Sequence, residues 1–195
     1  MHRDKAMAEN TENAGGQHGN RWRIALWSGA ALLLLLPLLA MQFTGEVNWT
    51  AFDFLAFGTM LAIACGAYEL AAKTTINTAY RAAAGIAIAA AFFLVWSNLA
   101  VGIIGTERNP ANLMYGGVLA VGIIGAIIAR FRARGMARAL VAMALAQALV
   151  AAIILIAGWG YEALALTGLF GAPWLLSAWL FRKAAREQAF AGAMP

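Results

Sequence analysis

The chain has 195 residues, 63% of them hydrophobic and only 12% charged, with a mean hydropathy of +0.72; a soluble domain of this size carries roughly twice that charged fraction. Its net charge of +5 does not indicate nucleic acid, because the basic residues flank apolar segments as membrane topology requires. The single cysteine, Cys65, lies inside an apolar run, which excludes a disulfide framework and a thiolate metal site.

Residues 1–20 are polar, with Asp4, Glu9, Glu12 and Gly15-Gly16, and too poor in apolar side chains to offset ordering entropy; a disordered tail is expected. Arg21-Trp22-Arg23 leads into an apolar run over 24–43, long enough for a hydrocarbon core of roughly 30 Å. The polar lead, the length of the run and the lack of an A-x-A exit argue against a signal peptide. Further spans are predicted over 50–72, 82–105, 113–129, 137–157 and 163–181. Short connections make consecutive helices antiparallel neighbours. The expectation is an all-α fold, a polytopic transmembrane helix bundle of six spans over 21–187, with a short C-terminal tail over 188–195.

Charge sets the expected orientation. With the N-terminal tail cytoplasmic, every Lys and Arg except Arg108 falls on the cytoplasmic side, including the cluster Arg130, Arg132, Arg134 and Arg138. Glu46, Asp53, Glu107 and Glu162 then mark the outer ends. The reverse orientation would translocate the arginine cluster, against the positive-inside bias, so both termini are expected in the cytoplasm. Aromatics fit this frame as interface anchors, with Phe43, Trp49, Phe52, Tyr115, Trp159 and Tyr161 outside and Trp22, Tyr80, Phe131, Trp179 and Phe181 inside.

The third and fourth spans meet at a charged turn, Thr106-Glu107-Arg108. There Asn109-Pro110 starts a helix, with Asn as N-cap and Pro at the first helical position. Small residues offer close packing in lipid: Ala83, Ala87 and Ala91 in the third span, Ala144, Ala148 and Ala152 in the fifth, and Gly116, Gly117, Gly122 and Gly125 in the fourth. The heptapeptide over 99–105 recurs over 119–125, at a different depth, and Glu46-Val47-Asn48 echoes Glu107-Arg108-Asn109 at matching hairpin tips. Both are weak signs of an internal repeat.

Ionisable or amide side chains inside a span are the candidate functional residues. Asp53, three residues after Thr50, reads as an acidic capping box at a positive helix end. Glu69 has Lys73 four residues on, the favourable order for an ion pair. The two carboxylates are about 24 Å apart along the helix, too far for one shared site. Asn98 and Gln147 are the clearest polar groups at depth. Each should face the bundle interior, as interhelical glue or as the lining of a solute path. Glu46, Asp53, Glu107 and Glu162, with Arg108 as counter-ion, are the residues that could converge on a cation, or that merely solvate loops. Arg130, Arg132, Arg134 and Arg138 enforce topology and are candidates for contact with anionic lipid.

The only histidines, His2 and His18, lie in the tail. A histidine-ligated haem or metal and a Ser-His-Asp triad are thereby excluded from the membrane domain. No Walker A, HExxH or strand-associated GxGxxG motif occurs. No catalytic residue, cofactor or metal is expected, and the chain is not read as an enzyme.

The segment over 95–113, with Val101-Gly102-Ile103-Ile104-Gly105 running into Asn109-Pro110-Ala111-Asn112, then Arg134-Gly135-Met136-Ala137-Arg138 and Ala146-Gln147-Ala148-Leu149-Val150, resembles small polytopic inner-membrane proteins of bacteria that carry no assigned function. The resemblance implies a multi-pass protein of the bacterial inner membrane and supplies no activity. Two roles follow as expectations. One is an accessory or structural membrane component that packs against itself or a membrane partner protein. The other is a small-solute or ion permeation protein using Asn98, Gln147 and the outer acids.

Overall fold

The computed structural model describes the backbone of residues 2–193 and the side chains of residues 21–193. Its helices are α1 (His2–Phe43), α2 (Ala51–Lys73), α3 (Thr78–Ala100), α4 (Leu113–Ile128), α5 (Ala133–Ala157) and α6 (Tyr161–Ala191), with one 3-10 turn, Pro110–Asn112, and no strand among the described residues. All six are long and apolar enough to cross a membrane, α1 over Arg21–Phe43 and α4 when counted from Pro110. The chain is all-α, as its long apolar runs predict. The expected tail over 1–20 falls where side chains lie outside the described residues.

Two compact units divide the chain, 1–69 and 70–195. In the first, α1 and α2 are antiparallel neighbours joined by long side chains. Trp22 meets Tyr68 edge-on at 5.9 Å, and Arg23 and Trp27 both reach Glu69. Farther along, Gly58 faces Leu34. At the opposite end Trp49 packs edge-on against Phe54 and Phe57. Phe57, Leu61, Cys65 and Glu69 are buried at four-residue spacing, one face of a helix.

In the second unit α6 is the central element. Its buried residues Ala163, Thr167, Phe170, Trp174, Ser177, Phe181 and Ala184 alternate spacings of four and three, the 3.5-residue period of a left-handed helix seam. Helix α5 answers with Leu140, Met143, Gln147, Val150 and Ile154 at the same period. Helix α3 lies antiparallel to α6, with Tyr80 against Phe181 at 5.0 Å and Ser177 Oγ donating to Ala83 O at 2.7 Å. Helix α4 packs on α5 through glycine. A Cβ at Gly122 would strike the Met143 side chain, and one at Gly125 would lie 2.6 Å from Ala139 Cβ.

Several expectations are corrected. Helix α3 ends at Ala100, not at residue 105, because Ser97 O accepts from both Val101 N and Gly102 N and the chain turns left-handed at Gly102 and Gly105 (φ 76° and 70°). Helix α6 runs to Ala191, past the expected end at residue 181 and through part of the expected tail, because Ala184 and Ala185 keep the buried seam going beneath a charged surface. Tyr115, Tyr80 and Phe181 are core residues rather than interface anchors. Of the small-residue stripes, Ala83, Ala87 and Ala91 pack into the core, whereas Ala148 and Ala152 are exposed. Gly116 and Gly117 have no close neighbour.

Candidate functional site

The polar groups at depth gather at Thr167, where α4, α5 and α6 meet. Thr167 Oγ1 donates to Ala163 O, one turn back, at 2.6 Å, and lies 2.6 Å from Tyr115 Oη. A hydroxyl has one proton, and Thr167 spends it on Ala163, so Tyr115 is the donor in the second bond. Gln147 Nε2 donates to Thr167 O at 3.1 Å. That carbonyl already belongs to the α6 ladder, so its second lone pair takes the amide. Tyr115, Gln147 and Thr167 are 1%, 2% and 0% exposed. Three helices are thus tied at one residue without an ionised group. Beside this tie, Gln147 Oε1 and Trp174 Nε1 are buried with no hydrogen-bond partner among the described residues.

Asn98 behaves differently from Gln147. It is half-buried, and its Nδ2 donates to Leu94 O in its own helix at 3.0 Å, while Oδ1 is buried without a partner. The expected interhelical bond is found at Gln147 and not at Asn98.

The acids occupy several separate environments. Asp53 closes the capping box at the start of α2: Thr50 N and Thr50 Oγ1 donate to its carboxylate at 2.7 and 2.8 Å, and Asp53 N donates to Thr50 Oγ1 at 3.3 Å. Glu69 is buried. Arg23 Nε approaches its Oε1 at 2.6 Å and Trp27 Nε1 donates to its Oε2 at 3.3 Å, partners that lie far from it in sequence. Glu46 and Glu162 are exposed, and Glu162 sits in the first turn of α6, where the helix dipole favours a carboxylate. Glu107 pairs with its exposed neighbour Arg108 at 3.6 Å. No three His, Cys, Asp or Glu side chains among the described residues form a group that could hold a metal ion.

Asn112 was not among the candidates and organises the loop between α3 and α4. Its Oδ1 accepts from Ile103 N and Ile104 N at 3.2 and 2.9 Å, and its Nδ2 donates to Thr106 O at 2.8 Å and Ile104 O at 3.4 Å. Ile103 and Ile104 are thereby folded inward and buried. Asn109 caps the following turn as expected, accepting from Ala111 N at 3.0 Å. A polar residue two positions after a proline N1, within an apolar stretch, was the signal available for Asn112.

At the basic end, the α4–α5 turn places two consecutive non-glycine residues in the left-handed region, Arg130 (φ 47°) and Phe131 (φ 56°). Tyr80 Oη donates to Phe131 O at 2.7 Å and holds the turn against α3. Asn77 caps α3 by accepting from Tyr80 N at 2.8 Å, and its Nδ2 donates to Glu187 on α6 at 2.7 Å. No known protein family, curated protein or solved structure matches this chain.

Proposed function

We propose that this multi-pass chain is an accessory or structural component of the bacterial inner membrane, non-catalytic, with both termini in the cytoplasm. In this reading it acts by helix packing against a second copy or a membrane partner protein, and its arginine cluster meets anionic lipid. The observation that carries it is the tie at Thr167: the buried polar side chains Tyr115 and Gln147 are engaged in bonds between helices. Bonds of this kind, worth roughly 1 kcal/mol each in lipid, serve assembly. The positive-inside distribution of Lys and Arg supports the orientation.

Reporter fusions at Asn20, Glu107 and Gly192 test the topology. Cytoplasmic signal is expected at the first and third and external signal at the second; any other pattern overturns the orientation. Crosslinking and pulldown from native lipid test the role, with a specific membrane partner or self-association expected.

A second reading, permeation of a small polar solute or ion, is favoured by the buried acceptors Asn98 Oδ1 and Gln147 Oε1, which have no hydrogen-bond partner. Proteoliposome flux that disappears in both Asn98→Leu and Gln147→Leu would replace the first reading with this one. Wild-type flux no greater than that of empty liposomes, or flux unchanged in those variants, would remove it.

A further inference from the structure

The basic end of the second unit carries a cleft of about 480 Å3, open on one side and lined by Thr74, Thr75, Tyr80, Arg132, Arg134 and Gln188 among others. It is built by the α2–α3 connection with Tyr80 of α3, by the α4–α5 turn with the first residues of α5, and by the end of α6. Its polar lining holds two guanidinium groups, three hydroxyls and a primary amide, and contains no carboxylate; the Tyr80 and Thr74 hydroxyls donate to Phe131 O and Ala71 O. Glu187, beside Gln188 in the chain, is engaged by Asn77 Nδ2 at 2.7 Å and by Lys183 Nζ at 3.9 Å. A guanidinium matches phosphate oxygens in charge and in fork geometry.

The level of the cleft follows from length. Helix α6 has 31 residues, about 46 Å at 1.5 Å per residue, against a hydrocarbon core of roughly 30 Å. Its charged last third, with Gln188, therefore stands at headgroup level. The α2–α3 and α4–α5 connections end candidate spans and line the same cleft as the end of α6, which assigns them to the same level in the multi-pass reading. Beside the polar lining the surface turns apolar: Phe131 lines the cleft and is exposed, and Ile127 and Ile128 are exposed on the adjoining end of α4. A ligand with a phosphate at one end and an acyl chain at the other matches both halves.

We infer that this cleft binds a phosphate-bearing anion, held by Arg132 and Arg134, and that its source is the headgroup of an anionic phospholipid. The inference rests on the multi-pass reading above and narrows its lipid contact from four arginines to two. The Thr75 hydroxyl, which accepts from Asn77 N and keeps its own proton, and the Gln188 amide supply further donors to the phosphate oxygens, whereas Thr74 Oγ1 donates to Ala71 O. Arg130 and Arg138, outside the lining, contribute only to the general field.

The test uses the full chain in lipid nanodiscs, with bound lipid counted by native mass spectrometry. Phosphatidylglycerol is expected to be retained over phosphatidylcholine by roughly tenfold. Two cleft variants should each abolish the preference: the double substitution Arg132→Gln with Arg134→Gln, and Ala189→Trp, which fills the exposed lining while keeping every charge. Arg138→Gln should leave it intact. Equal retention of the two lipids overturns the inference outright, and a preference that survives Ala189→Trp overturns it in favour of unspecific surface charge. Inorganic phosphate is tested alone in phosphatidylcholine discs. If it raises the melting temperature of the wild type and not of the arginine variant while phosphatidylglycerol is not preferred, the phosphate chemistry stands and the lipid source falls. Failure to enter neutral discs at all would instead overturn the multi-pass reading, so the two failures are distinguishable.

Discussion

Tyr115 Oη lies 2.6 Å from Thr167 Oγ1, and the direction of that hydrogen bond is fixed by Thr167's other partner, Ala163 O. The asymmetry predicts an ordering of variants. Tyr115→Phe removes the donor and leaves Thr167 still bonded to its own helix, at a cost of roughly 0.5–1.5 kcal/mol. Thr167→Val keeps the shape but strands a buried phenol proton with no acceptor, which costs about 1–3 kcal/mol. The double variant should be more stable than Thr167→Val alone, since it removes the stranded group. Unfolding in mixed micelles, read as a double-mutant cycle, checks this; an equal or reversed order would refute the assigned direction.

The α4–α5 contact separates two glycines that look equivalent in sequence. A Cβ at Gly122 meets the flexible thioether of Met143, which can swing aside. One at Gly125 meets Ala139 at its Cβ (2.6 Å) and Cα (3.2 Å), which cannot move without moving the helix. Gly125→Ala should destabilise by about 1–3 kcal/mol, the usual cost of overpacking, and Gly122→Ala by less. Gly116→Ala, with nothing within 4 Å, should be neutral or slightly stabilising through helix propensity. Thermal unfolding of the three variants side by side gives the order.

The Arg23–Glu69 pair is asymmetrically solvated, its side chains 47% and 10% exposed. Removing one partner of a buried pair costs about 3–5 kcal/mol, and solvent at the arginine reduces this here. Arg23→Gln should therefore cost about 1–2 kcal/mol, because it leaves the more buried carboxylate with weaker compensation. Glu69→Gln should cost less, since the arginine can turn to water and the amide oxygen still accepts from Trp27. The double variant should recover part of the Arg23→Gln loss. Denaturant unfolding of a chain carrying a reporter on α2 would resolve the sequence of costs.

The six apolar runs were legible because hydrocarbon demands about 20 consecutive apolar residues, a signal stronger than any periodicity. The helix ends were less so. The residues from Val101 to Ile104 continue the apolar pattern of α3, yet the backbone turns at Gly102, and hydropathy does not register a dihedral angle. The last third of α6 is too polar to read as a span, although Ala184 and Ala185 preserve its buried period. Among candidate residues, the Thr50–Asp53 box was readable because its partners are three residues apart. The Arg23–Glu69 pair joins residues 46 positions apart, and local spacing carries no information about it. Asn98 and Gln147 looked alike because depth is legible and facing is not. Thr167 and Ser177 went unnoticed because a hydroxyl in a helix can bond a carbonyl one turn back and so attracts no suspicion.

The loop between α3 and α4 should depend on Asn112 more than on any other side chain in it. Its Oδ1 is the acceptor for two backbone N–H groups, at Ile103 and Ile104, and its Nδ2 serves Thr106 O. In Asn112→Ala those buried donors lose their partner, at about 1–3 kcal/mol each before relaxation. Asn112→Asp keeps the acceptor for both N–H groups but sets a carboxylate oxygen against the Thr106 carbonyl, so it should be intermediate or worse. Glycine variants in the same loop supply the backbone control. Gly102→Ala combines a φ of +76° with a Cβ that collides with the Thr106–Glu107 peptide, whereas Gly105→Ala, at φ +70°, meets only Asn109 Nδ2 at 3.4 Å. The expected order of damage is therefore Gly102→Ala above Gly105→Ala, with the latter near the 1–2 kcal/mol typical of a left-handed alanine. Because these groups are local, protease cleavage at the Glu107–Arg108 turn should rise in Asn112→Ala and Gly102→Ala at temperatures where α5 and α6 remain folded. Loss of the whole unit in one step would show instead that the loop is cooperative with the helices it joins.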